Sequence, residues 1–112
     1  MLFRSALFSN TVASYTTAVG YQAAYSSSVG SHMTAIGYRA LFSSTVSNYN
    51  VAIGSLALYS WNNTGTDGSS VAVGYQSLYN ATTANHNTAI GFQAGYANTT
   101  WYSNTAVGRG AL

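Results

Sequence analysis

The chain contains no cysteine and no proline, and only one of its 112 residues has an acidic side chain. Without cysteine there is neither a disulfide framework nor a thiolate metal site, and the redox compartment stays open. Charge is scarce altogether: Arg4, Arg39, Arg109 and Asp67 make up 4% of the residues, against about a quarter in ordinary soluble domains. A single carboxylate side chain rules out a two-carboxylate acid-base site within one protomer. Three scattered arginines cannot form a basic stripe in which each phosphate meets its own cation, so nucleic acid is not an expected partner. No apolar run approaches the roughly 20 residues that cross a bilayer, and no membrane insertion is expected. The stretch Met1 to Ala6, with one arginine and a broken apolar run, does not read as a secretory signal. An export signal would lie outside this sequence.

What the sequence does contain is a repeat. The tripeptide Ala-(Val/Ile)-Gly stands at Ala18, Ala35, Ala52, Ala72, Ala89 and Ala106, with successive alanines 17, 17, 20, 17 and 17 residues apart. The longer step holds Trp61 to Gly68, whose Asn and Gly content marks an inserted loop. Upstream, Ala6-Leu7-Phe8-Ser9-Asn10-Thr11-Val12 matches Ala40-Leu41-Phe42-Ser43-Ser44-Thr45-Val46, so residues 1–112 are one repeat domain that begins and ends in mid-repeat.

Within each copy, large and small residues alternate, as in Thr34-Ala35-Ile36-Gly37-Tyr38. A period of two predicts a strand. Aromatics four apart, such as Tyr75 and Tyr79, invite a helical reading, but a glycine inside every copy would cost about 1 kcal/mol each, and β-branched residues and tyrosine favour strands. A second short segment, Ala40-Leu41-Phe42 or Ser77-Leu78-Tyr79, follows after one variable residue, which gives one or two strands of four or five residues per unit. A 17-residue unit cannot bury its apolar side alone, whereas stacked copies can. The expected fold is therefore all-β, a parallel β-solenoid or β-roll of about six coils rising about 4.8 Å each. The expected core ladder is Val19, Ile36, Ile53, Val73, Ile90 and Val107, with Leu41, Leu58, Leu78 and Leu112 beside it. Two or three such side chains per coil, at about 1.5 to 3 kcal/mol each, do not cover an ordering cost of roughly 1 kcal/mol per residue, so self-association is expected. The alanine and glycine columns would permit close approach between chains, and the ladder Tyr25, Phe42, Tyr59, Tyr79 and Tyr96 would offer contact area.

The run Asn87-Thr88-Ala89-Ile90-Gly91-Phe92-Gln93-Ala94, repeated in part at Thr17 to Ala23, resembles the YadA-like head repeats of trimeric autotransporter adhesins, and similar repeats in phage tail fibres. The resemblance covers Ala6 to Leu112. It implies a left-handed parallel β-roll, a homotrimer, an extracellular, cell-surface or virion location, and attachment to a host receptor, glycan or other surface. Continuation end to end is expected separately, because neither end shows a polar capping repeat.

Enzymatic chemistry is not expected. A Ser-His-Asp set could be written with His32 or His86, but the acid would be Asp67, which serves turn chemistry in the inserted loop. His32 and His86 share one repeat position, three before Ala35 and Ala89. In a trimer each could form a three-histidine ring, yet Tyr15, Tyr49, Ser69 and Ser103 occupy the same position, which describes a tolerant surface site. No metal and no cofactor is therefore assigned. The repeat glycines never form a GxGxxG run; close backbone approach explains them better. Asn62, Asn80 and Asn98 begin N-glycosylation triplets, as chance provides in a chain rich in Asn and Thr. Trp61 and Trp101, in turn-rich segments, are the candidate glycan or surface contacts through ring stacking and hydrogen bonds. Two other roles compete. A self-assembling filament of the functional-amyloid kind suits low charge and absent proline. An ice-binding solenoid would use the aligned Thr17, Thr34, Thr88 and Thr105, although Val51 and Val71 interrupt that column.

Overall fold

A computed structural model describes residues 4–46, 48–62 and 68–112. Its fold is a β-solenoid. Each coil contributes one three-residue strand: β1 (Thr17–Val19), β2 (Thr34–Ile36), β3 (Val51–Ile53), β4 (Val71–Val73), β5 (Thr88–Ile90) and β6 (Thr105–Val107). All pair in parallel, in the order of the chain, within one sheet. The register superimposes the repeat: Ala18 pairs with Ala35, Ala35 with Ala52, Ala52 with Ala72, Ala72 with Ala89 and Ala89 with Ala106. Residues 63–67 of the inserted loop, Asp67 among them, lie outside the described residues, but the pairing of β3 with β4 shows that the three-residue insertion does not shift the register.

No second strand forms among the described residues. The segment after each repeat glycine is a run of turns with left-handed φ at alternate residues, for example Arg39 (51°) and Leu41 (55°), or Gln76 (53°) and Leu78 (49°). Its backbone groups still pair coil to coil, with Leu41 N donating to Ala57 O at 2.9 Å and Leu58 N to Ser77 O at 3.0 Å. Single αL residues without a glycine carry a strain cost, and repeated inter-coil bonds offset it.

The core is inverted relative to the expectation from hydrophobicity. The middle residue of each strand points inward, so Ala35, Ala52, Ala72 and Ala89 are fully buried. The expected ladder stands on the outer face: Ile36 and Ile53 are each 37% exposed, Ile90 42% and Val107 65%, with Val19 and Val73 half-buried. The reason is the narrow coil. Leu41, Leu58 and Leu78 enter from the opposite wall and are fully buried. A Cβ placed at Gly95, on that wall, would stand 2.8 Å from Leu78 Cδ2 and 3.6 Å from Ala89 Cβ. Leucine already reaches the strand, which leaves room there for a methyl group and nothing longer. Leu112, the terminal member of the leucine column, is exposed.

Two positions before Ala52, Ala72 and Ala89, the residues Asn50, Ser70 and Asn87 form a buried polar ladder. Ser70 N donates to Asn50 Oδ1 at 3.0 Å, Asn87 N to Ser70 Oγ at 3.2 Å and Asn104 N to Asn87 Oδ1 at 2.9 Å. These side chains satisfy backbone donors that the sharp bend removes from the strand ladder.

Candidate functional site

Because the alanines face inward, the two flanking residues of every strand face outward together. The outer face of the sheet is thus two parallel columns of β-branched residues: Thr17, Thr34, Val51, Val71, Thr88 and Thr105 in one, and the Val/Ile column in the other. Neighbours in a column lie about 4.8 Å apart and the columns about 7 Å apart. β-branched side chains are stiff at χ1, so the face is regular and preorganised. An exposed apolar patch of this continuity marks an interaction surface. The alanine column cannot mediate contact between chains, since it lies inside the coil. The glycine column approaches the next coil of its own chain: a Cβ on Gly37 would stand 2.7 Å from the Gly54 carbonyl carbon.

Aromatic rings form ladders on other walls. Phe8, Tyr25, Phe42, Tyr59, Tyr79 and Tyr96 make one continuous stack with centroid spacings of 5.0, 5.2, 5.2, 5.1 and 5.4 Å. Burial in that stack, joined by the neighbouring phenols of Tyr59, Tyr96 and Tyr75, pushes the Tyr79 hydroxyl above the ordinary tyrosine pKa of 10.0. A second stack runs Tyr15, His32 and Tyr49 at 4.8 and 5.1 Å. His32 therefore sits as one ring in an exposed aromatic ladder. His86 is exposed three coils along. Among the described residues no three His, Asp or Glu side chains gather as a metal-binding group, and none of their helices is long and apolar enough to cross a membrane.

The two tryptophans part company. Trp61 is fully buried, and its Nε1 has no hydrogen-bond partner among the described residues; an enclosed indole cannot offer a face to a sugar, so it is not a surface contact. Other coils hold Ser27, Ser44 or Ala81 at that buried position, and Asn62, the next residue, still keeps the repeat register, accepting at Oδ1 from Thr45 Oγ1 at 3.1 Å. Trp101 is 64% exposed and lines a 330 Å³ cavity with Ala97, Asn98 and Leu112. Its backbone N donates to Asn98 Oδ1 at 3.0 Å.

The cations rest on rings. The Arg39 guanidinium carbon lies 5.2 Å from the Tyr38 centroid and 5.3 Å from that of Phe42, and that of Arg109 lies 5.5 Å from Phe92. Contacts of this kind stabilise by about 0.5–1 kcal/mol at exposed sites. Sequence reasoning found the columns but not which of them face out, since alternation marks two faces without saying which is inside. Compared with known proteins, the chain matches no family model, no curated protein and no solved structure.

Proposed function

We propose that this chain is a segment of a structural, adhesive fibre of the extracellular, cell-surface or virion kind: a β-roll that associates laterally as a homotrimer and presents its remaining walls for attachment. The observation that carries the proposal is the outward face of paired β-branched columns. Ile36, Ile53, Ile90 and Val107 are exposed along this face and Val19 and Val73 half-buried in line with them, and water contact along such a strip is unfavourable by about 25 cal/mol for each Å² that a partner could cover. A second copy offers a complementary surface, because stiff β-branched columns of identical spacing interdigitate. Symmetry alone would favour two copies; the resemblance to adhesin heads favours three. The rigid, stacked architecture and the near absence of charge suit a load-bearing rod better than catalysis. Sedimentation equilibrium tests this directly, a trimer being expected. A monomer that stays monomeric at all concentrations would defeat it, and a dimer would keep lateral assembly while removing the adhesin analogy.

One observation favours a second reading. Thr17, Thr34, Thr88 and Thr105 share the outer face with the Val/Ile column, so the face combines hydroxyls and methyls on a regular grid, as a surface that binds ice would. Thermal hysteresis and ice-crystal shaping in a solution of the monomer would support this reading over the fibre.

A further inference from the structure

One aromatic column of the coil lacks a ring. Tyr21, Tyr38, Ser55, Tyr75, Phe92 and Arg109 each follow a repeat glycine. Tyr21 stacks on Tyr38 at 5.8 Å, and Tyr75 on Phe92 at 5.2 Å. On the coil between these pairs the side chain is only the hydroxymethyl group of Ser55. Coils rise by about 4.8 Å, so Tyr38 and Tyr75 face each other across about 9.6 Å. A ring seated over Ser55 would lie about 4.8 Å from each, close to the spacing that the column's own rings keep. Tyr38 and Tyr75 are 45% and 43% exposed, so the slot is reached from solvent.

The adjacent column changes at the same coil. Arg39 Nε donates to Gln22 Oε1 at 2.7 Å, and Gln93 Nε2 donates to Gln76 Oε1 at 2.8 Å. Leu56 stands between these pairs and has no polar side-chain atom to extend either. The Gln76 amide nitrogen, whose own oxygen is engaged, stands on one coil that borders the slot, and on the other the Arg39 guanidinium, with its Nε held by Gln22, lies 5.2 Å from the centroid of the bordering Tyr38 ring. Among the described residues no acidic side chain neutralises Arg39.

We infer that the slot between Tyr38 and Tyr75 binds a pyranose ring carrying a carboxylate, such as a hexuronic acid within a glycan. The C–H faces of the sugar stack on the two phenols, Ser55 and Gln76 hydrogen-bond its hydroxyls, and Arg39 takes the carboxylate in a charge-assisted bond. A flat aromatic group would complete the stack but leave those three polar groups unused. This site rests on the adhesive reading for its biological setting and deepens it by naming the ligand class.

The test is titration calorimetry of the intact chain with an oligogalacturonate and with a neutral cello-oligosaccharide of equal length. The acidic sugar is expected to bind saturably and the neutral one more weakly. Ser55→Tyr, which supplies the missing ring, should keep thermal stability and weaken binding at least about tenfold; Arg39→Gln should reduce the preference for the acidic sugar. No binding of either sugar, undiminished binding by Ser55→Tyr, or capture of an aromatic peptide in place of sugar would overturn the site. Sedimentation of the same samples separates the two ideas. An assembled trimer that ignores sugar removes the slot alone, and a monomer that binds sugar removes the trimer alone.

Discussion

A Cβ placed on Gly54 would stand 2.5 Å from the carbonyl oxygen of Gly74, its counterpart on the next coil. The same column ends at Gly108, where an added Cβ meets nothing within 4 Å. Both glycines have φ in the range that side chains rarely adopt, +133° and +120°. Gly108→Ala is expected to cost only the backbone strain, about 1–3 kcal/mol, and Gly54→Ala clearly more, because the neighbouring coil must move. Urea unfolding of the two variants measures the difference; equal losses would mean that coil stacking does not set the glycine requirement.

The inverted core makes a prediction opposite to the hydrophobic ranking. Ala52→Leu should destabilise by about 1–3 kcal/mol through overpacking, since Ala52 is fully buried between coils. Ile53→Ser, on the outer face, should change the unfolding free energy of the monomer by under about 1 kcal/mol while weakening self-association. Thermal unfolding paired with sedimentation checks both, and a well-tolerated Ala52→Leu would reverse the assignment of the faces.

Trp61 and Trp101 should be distinguishable by light alone. In Trp101→Phe the remaining indole is buried, so its emission should be blue-shifted and shielded from acrylamide; in Trp61→Phe the remaining indole should be red-shifted and readily quenched. Trp61→Ala should cost about 3–5 kcal/mol as a large core deletion, and Trp101→Ala under about 0.5 kcal/mol as a surface change.

Alkaline pH should loosen the six-ring stack. Burial raises the pKa of Tyr79 above its ordinary 10.0, helped by Tyr59, Tyr96 and Tyr75. The folded state therefore holds this proton more tightly than the unfolded state. That contribution is fully present below about pH 10 and is lost as pH rises through the higher folded value. Denaturation midpoints measured from pH 8 to 11.5 should fall above about 10, and Tyr79→Phe should flatten the fall. An unchanged slope would place Tyr79 outside the coupled stack.

The sequence by itself determined the period, the register and the strands. Ala-(Val/Ile)-Gly recurring every 17 residues puts like residues over like residues, and parallel stacking follows because only neighbouring copies can pair their backbones. The insertion between Trp61 and Gly68 was legible from the one longer step, and the aromatic columns from the spacing of Tyr25, Phe42 and Tyr59. The sidedness was not legible. Two-residue alternation separates Ala35 from Thr34 and Ile36 but is symmetric about the backbone, and hydrophobicity alone assigns isoleucine to the inside. Closure of the coil decided otherwise: once Leu41, Leu58 and Leu78 cross from the far wall, the space beneath the strand admits only a methyl group. The same closure enclosed Trp61 in the one coil lengthened after it. It also set left-handed φ at Arg39 and Leu41 and decided between one strand and two in each unit, making the second segment a chain of turns, because so short a circuit must bend at almost every residue.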